Sequence, residues 1–252
     1  MYKLKKSLGQ HFLKDELVIE DIFRALCSTS FERLLEVGPG GGALTRHLLT
    51  IPNIDFKAVE IDEEKIAFLQ KTFKSIEGKI ISASILDIES PFEQPFTVIG
   101  NFPYNISSQI LFKMLEWKDS VPVIVGMFQK EVALRVAAAP RSKDYGVLSI
   151  LIQAFYEVEY LFDVKPECFN PPPKVMSGVI RLTRRKEPVP MKSEKAFRLL
   201  VKTAFNQRRK TLRNALKSLL PAEELQKELY NKRAEELSVE TFAELSFKLF
   251  TA

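Results

Sequence analysis

Five short apolar, β-rich runs separated by helix-like stretches constrain this chain more than any other feature of its sequence. The runs lie at 34–37, 56–61, 79–83, 96–100 and 122–128, and the helical patterns at 43–49, 63–73, 107–117 and 130–139. This alternation predicts an open, mostly parallel α/β sheet. Two more runs, 158–164 and 175–182, are linked through Pro171-Pro172-Pro173-Lys174. That link is too short for a crossover helix, so the final pair is expected to be antiparallel, giving seven strands. After Glu187-Pro188-Val189-Pro190 the composition becomes helical and charged with no further strand candidate. The expected division is therefore an α/β domain over 1–187 and a small all-α domain over 188–252. At 252 residues and 46% hydrophobic, the chain can bury one large core with an appendage.

Several classes are disfavoured at once. No apolar run approaches the ~20 residues of a membrane-spanning helix, and the basic start, Met1-Tyr2-Lys3-Leu4-Lys5-Lys6, lacks the apolar stretch of a secretion signal. A cytoplasmic protein without a membrane partner is expected. Cys27 and Cys168 are the two cysteines; without paired-Cys or Cys/His spacing, neither a disulfide nor a metal site is expected, and both thiols are expected to be buried and reduced.

Charge is informative by location. Residues 184–217 contain twelve Lys or Arg against Glu187 and Glu194, a net +10 in a chain whose total is +5. Focused positive charge suits a polyanion, which it attracts at long range and binds by releasing counterions. A solvated helical face also accommodates such charge. Within this stretch Asn206-Gln207-Arg208-Arg209-Lys210 places amide and guanidinium groups together, suited to phosphates and 2′-hydroxyls.

The first strand runs into Glu36-Val37-Gly38-Pro39-Gly40-Gly41-Gly42-Ala43. Glycines there let backbone pass close to a ligand before a helix begins, and Glu60, twenty-two residues beyond Gly38 at the end of the second strand, is placed to accept from both hydroxyls of an adenosine ribose. A tight turn alone would also explain the glycines. Two features favour S-adenosyl-L-methionine over a nicotinamide. Glu36 puts a carboxylate beside a ligand carrying cationic sulfur and ammonium groups, whereas it would repel a pyrophosphate. Asp87, after the third strand, can accept from an adenine amino group, or alternatively cap the next turn.

The fourth strand delivers Asn101-Phe102-Pro103-Tyr104 to the same sheet edge, where ligands of doubly wound sheets bind. An exocyclic purine amine is a poor nucleophile because its lone pair is delocalised into the ring. The Asn101 amide oxygen and the Pro103 carbonyl can accept its two hydrogens and draw the nitrogen towards a tetrahedral shape. Tyr104 can stack on an unstacked base. A plain strand-to-helix turn accounts for the same residues without chemistry.

Taken together, these blocks resemble the ribosomal RNA adenine dimethyltransferase family over residues 8–213, and its bacterial small-subunit branch in particular. The resemblance rests on Gly9-Gln10-His11-Phe12-Leu13, Glu36-Val37-Gly38-Pro39-Gly40, Asn101-Phe102-Pro103-Tyr104-Asn105-Ile106-Ser107, Gln129-Lys130-Glu131-Val132, Tyr145-Gly146-Val147-Leu148-Ser149, Phe169-Asn170-Pro171-Pro172-Pro173-Lys174-Val175 and Phe205-Asn206-Gln207-Arg208-Arg209-Lys210. It implies a class I, Rossmann-like methyltransferase fold. It also implies cofactor contacts at His11, Leu13, Gly38, Gly40, Glu60, Ile61, Asp87 and Asn101, and a target-base pocket at Asn101, Pro103, Tyr104 and Phe169. RNA contacts are implied at Arg208, Arg209, Lys210 and Arg213. His11 stands where the family often has Asn, which suggests a contact through its backbone. Phe102 replaces the commoner Leu and is expected to tighten the base pocket.

The activity so implied is dimethylation of N6 on two adjacent adenines in a hairpin loop near the 3′ end of small-subunit (16S) RNA. The enzyme would use S-adenosyl-L-methionine without metal, act as a monomer on an immature small subunit and serve subunit biogenesis. Alternatives are a large-subunit RNA methyltransferase of the resistance type and a noncatalytic assembly factor. A nicotinamide oxidoreductase would leave the tetrapeptide and the basic stretch unexplained.

Overall fold

The computed structural model describes residues 11–207 and 209–250. Its main sheet contains β2 (Arg33–Val37), β3 (Asp55–Glu60), β4 (Ile80–Ser82), β5 (Thr97–Asn101), β6 (Val123–Gln129), β7 (Tyr156–Val164) and β9 (Ser177–Arg184). The order is β4-β3-β2-β5-β6-β9-β7. All pairings from β4 through β6 are parallel, and β9 runs antiparallel to β6. The expected strands are thus present, with ends displaced by one or two residues. A further pair, β1 (Phe12–Leu13) with β8 (Phe169–Asn170), is antiparallel and aligns Leu13 with Phe169. Strands of two residues carry no readable alternation, so this pair leaves no signal in the sequence.

The central strands are buried on both faces. Leu34, Leu35, Val98, Ile99, Ile124 and Val125 are all nearly inaccessible, as expected where helices cover a parallel sheet. One covering helix, α1 (Glu16–Cys27), is not among the helical patterns expected from the sequence. It presents Ile19, Ile22 and Leu26 to the core and is capped by Asp15, whose carboxylate accepts from the Val18 N–H at 3.2 Å. Burial of each such side chain contributes about 1.5–3 kcal/mol as an upper estimate. The next helices along the chain are α2 (Thr45–Leu48), α3 (Glu63–Thr72), α4 (Ser107–Glu116) and α5 (Lys130–Ala137).

The chain divides into two compact units. One runs through Ala133 and resumes over Val158–Arg184; the other comprises Leu134–Glu157 and the chain from Arg185 onward. The expected boundary near 187 lies close to the last of the three crossings, after Arg184, but 134–157 groups with the C-terminal helices instead of the sheet. The reason is packing. Within this second unit the buried Tyr145 donates through its hydroxyl to the Leu237 carbonyl at 3.0 Å, and its ring meets Phe205. The unit contains α6 (Val147–Gln153), α7 (Glu194–Asn206), α8 (Leu212–Ala215) and α9 (Val239–Ser246). In α7, Phe197, Leu200, Val201 and Ala204 are buried at helical spacing.

Both cysteines are free, and neither is buried as expected: Cys27 is exposed and Cys168 half-buried. Cys27 ends α1 one position beyond the buried Leu26, which turns it off the apolar stripe. Among the described residues no helix is long and apolar enough to cross a membrane and no acidic, His or Cys group is arranged to hold a metal.

Candidate active site

A cavity of about 540 Å³ opens at the carboxyl ends of β2, β3 and β5, where the sheet reverses its winding order. Its floor is the glycine loop after β2. Gly38, Gly40 and Gly42 have φ of 68°, 57° and 80°, which side chains rarely adopt. A Cβ on Gly40 would press on the Phe12 ring at 3.3 Å. The loop is tied to the next strand: the Gly40 N–H donates to Glu60 Oε2 at 3.2 Å, and the N–H groups of Ile61 and Asp62 donate to Oε1 at 3.0 Å each. Glu60, nearly buried, is therefore a fixed acceptor at the cavity wall. Beside it Ile61 stays exposed and offers an apolar face.

Glu36 is the second carboxyl of the wall. It is buried and accepts from Thr45 Oγ1 at 2.7 Å. Burial raises its pKa to about 8, the Thr45 hydrogen bond opposes that shift, and the neighbouring Glu60 adds to it. At neutral pH the group is chiefly protonated, and a cation entering the cavity favours its ionised form.

Asn101 ends β5 and lines the opposite side. Its Nδ2 donates to the His11 backbone carbonyl at 3.1 Å. Only the amide nitrogen can donate to a carbonyl, so Oδ1 is the end left to accept hydrogen from a ligand. His11 thus acts on Asn101 through its backbone, while its ring pairs through Nδ1 with the Pro171 carbonyl at 2.9 Å and lies 5.6 Å from the Tyr104 ring at a 30° tilt. The Tyr104 hydroxyl pairs with that of Ser177, and burial raises its pKa.

The other sequence candidates separate into two groups. Leu13, Gly38, Gly40, Glu60, Ile61, Asn101, Pro103 and Tyr104 all line the cavity. The Pro103 carbonyl, however, accepts from the Ile106 N–H at 3.2 Å and from Ser107 Oγ at 3.1 Å. It is committed to starting the next helix. Asp87 is exposed and outside the cavity lining; the same turn contributes Ser84, Ile85 and Leu86 instead. The turn is capped by Ser84, whose hydroxyl accepts from the Leu86 N–H at 3.2 Å. Phe169 is 1% exposed in the core cluster with Leu13, and its neighbour Asn170 reaches the cavity. The Phe102 ring is buried, with its centre 4.8 Å from that of Phe128, and Phe102 also contributes to the cavity lining.

Of the basic candidates, Arg209 and Lys210 are exposed, just after α7. Arg213 directs its guanidinium to the carbonyls of Leu225 at 2.9 Å and Gln226 at 3.4 Å, a structural use that spacing could not reveal. Arg208, Gly9 and Gln10 lie outside the described residues. Sequence reasoning missed Lys65 in the cavity wall; the available signal was a lysine three residues after the helix-capping Asp62, where glutamate or glutamine is usual.

The cavity's two carboxyls, apolar flank and glycine floor fit a nucleoside-type ligand carrying positive charge. Relatives agree. A protein of Phocaeicola vulgatus described as ribosomal RNA small subunit methyltransferase A is 51% identical over 251 residues, covering 98% of this chain and 89% of the relative. The crystal structure of a dimethyladenosine transferase from Plasmodium falciparum superposes with a TM-score of 0.78 at 25% identity, covering 96% of this chain and 100% of that one. That of the 23S rRNA methyltransferase ErmE gives 0.73 at 25% identity, covering 94% and 99%. The sequence pattern of the ribosomal RNA adenine dimethylase family matches residues 1–250, and the chain belongs to that family.

Proposed function

We propose that this protein transfers methyl groups from S-adenosyl-L-methionine to N6 of adenine in small-subunit ribosomal RNA, twice on each of two adjacent adenines of a loop near the 3′ end. The observation that carries this reading is the Asn101 amide, whose Nδ2 donates to the His11 carbonyl; this leaves Oδ1 as the end that can accept from a target amine. The half-identical relative described as a small-subunit methyltransferase supports that branch over the large-subunit one.

When bound, the cofactor supplies an electrophilic methyl group. Glu60 and the glycine loop fix its nucleoside end, and Glu36 favours its positive charge. Asn101 Oδ1 draws the amine nitrogen out of conjugation and stabilises the charge that develops on it. Tyr104, anchored by Ser177, gives the extruded base a fixed ring to pack on. Such positioning recovers on the order of 7–11 kcal/mol of barrier, and the methylated amine is acidic enough to lose its proton to water without a strong base. Arg209 and Lys210 bind phosphates together with Arg208, as suits recognition of folded RNA by shape and charge. The protein acts as a cytoplasmic monomer in small-subunit biogenesis.

The test is transfer of labelled methyl to unmethylated small subunits and, in parallel, to large-subunit RNA, followed by digestion to nucleosides. N6,N6-dimethyladenosine from the small subunit alone is expected. Label in large-subunit RNA would shift the branch, and no label in either would leave the assembly-factor reading.

A further inference from the structure

Lys65 is a buried cation placed against local preference. It is the third residue of α3, three positions after the N-cap Asp62, where the positive end of the helix dipole disfavours a lysine. It is only 7% exposed, and lysine is rarely buried so deeply. Its ammonium lies 3.8 Å from Glu60 Oε2 and 5.4 Å from the centre of the Phe12 ring, and its side chain lines the cavity. A local rule broken at one buried position of an otherwise consistent helix start points to function.

The chemistry of a diol says which function. Each hydroxyl is a donor and an acceptor. Ionised Glu60 can only accept, and the nearby N–H groups of Gly40, Ile61 and Asp62 are already turned onto it. A ligand hydroxyl that donates to Glu60 still needs a donor for its own oxygen, and an ammonium supplies only donors. We propose that Lys65 and Glu60 together read the cofactor's ribose, Glu60 accepting from the diol and Lys65 donating to it. This makes Lys65 a specificity determinant for the intact diol. The inference rests on the S-adenosyl reading of the site. Its competitor is a lysine that only neutralises Glu60 and steadies the glycine loop.

The two roles part in a double comparison of protein and ligand. Calorimetric affinities are measured for S-adenosylhomocysteine and its 2′-deoxy and 3′-deoxy counterparts, on the wild-type chain, Lys65→Met and Lys65→Ala, with folding checked by circular dichroism. Loss of a charged hydrogen bond is expected to cost about tenfold or more in affinity. The wild type should lose that factor with at least one deoxy ligand. The variants should lose it already with the intact ligand and lose little more on its deoxygenation. Additive losses, unchanged affinity in a folded variant, or equal wild-type affinity for all three ligands would overturn the proposal; the last comparison holds even where both variants fail to fold. A folded wild type that binds none of the three would instead remove the cofactor reading itself.

Discussion

The Asn101 side chain is held by the backbone of His11, ninety residues earlier in the chain, through a 3.1 Å bond from Nδ2 to the carbonyl oxygen. Asn101→Ala removes the acceptor while leaving that carbonyl at the solvent-accessible cavity edge. The expected result is a loss of kcat on the order of 10²–10³-fold or more, with RNA affinity unchanged in a gel-shift assay. Full activity in this variant would exclude the mechanism.

Glu36 is expected to link the charge of a bound ligand to protons. Its pKa rises from an ordinary 4.5 to about 8 in the fold, chiefly through burial. Between these values the folded chain holds a proton that the unfolded chain has released. The group's contribution to stability is therefore full below the unfolded value and declines as pH rises through the folded one, by up to about 1.4 kcal/mol per pH unit. Glu36→Gln should flatten the fall in stability between pH 4.5 and about pH 8, read by urea denaturation. Binding of the cationic cofactor near neutrality should also release a proton in the wild type and not in the variant, measurable by calorimetry in buffers of different ionisation heat.

Phe102 depends on two glycines. A Cβ on Gly126 would fall 2.3 Å from the Phe102 ring and 2.6 Å from Phe128, and one on Gly100 would meet the Val37 carbonyl at 2.6 Å. Gly126→Ala is expected to destabilise the protein by about 1–3 kcal/mol through overpacking. Adding Phe102→Leu, which shortens the facing side chain, should recover part of that loss; purely additive effects in thermal melts would show the two positions to be independent.

The basic residues near α8 should divide by role. Arg208→Ala with Arg209→Ala is expected to weaken RNA binding and lower the slope of log affinity against log salt by roughly 0.7–0.9 for each phosphate that is no longer neutralised. Arg213→Ala should instead lower stability by about 1–2 kcal/mol, since its guanidinium serves the Leu225 and Gln226 carbonyls. A melting temperature unchanged in Arg213→Ala, with a reduced salt slope, would return that residue to the RNA surface.

Much of this protein could be read from its chain. Strand placement followed from short apolar runs because strands buried on both faces need them, and the loop after β2 followed from glycines, three of which have positive φ. The Glu60 and Asn101 positions followed from where such strands end. What only the tertiary structure decided are pairings between residues distant in sequence. Asn101 is oriented by His11, Tyr104 by Ser177, and Phe169 turns into the core because Leu13 lies across from it in a two-residue strand pair. Likewise, 134–157 packs with the C-terminal helices, and Arg213 folds back onto a loop. Periodicity and composition report a residue's own face and propensity. They do not report which distant carbonyl or ring completes its hydrogen bonds, and in this protein those distant partners set the direction of the Asn101 amide.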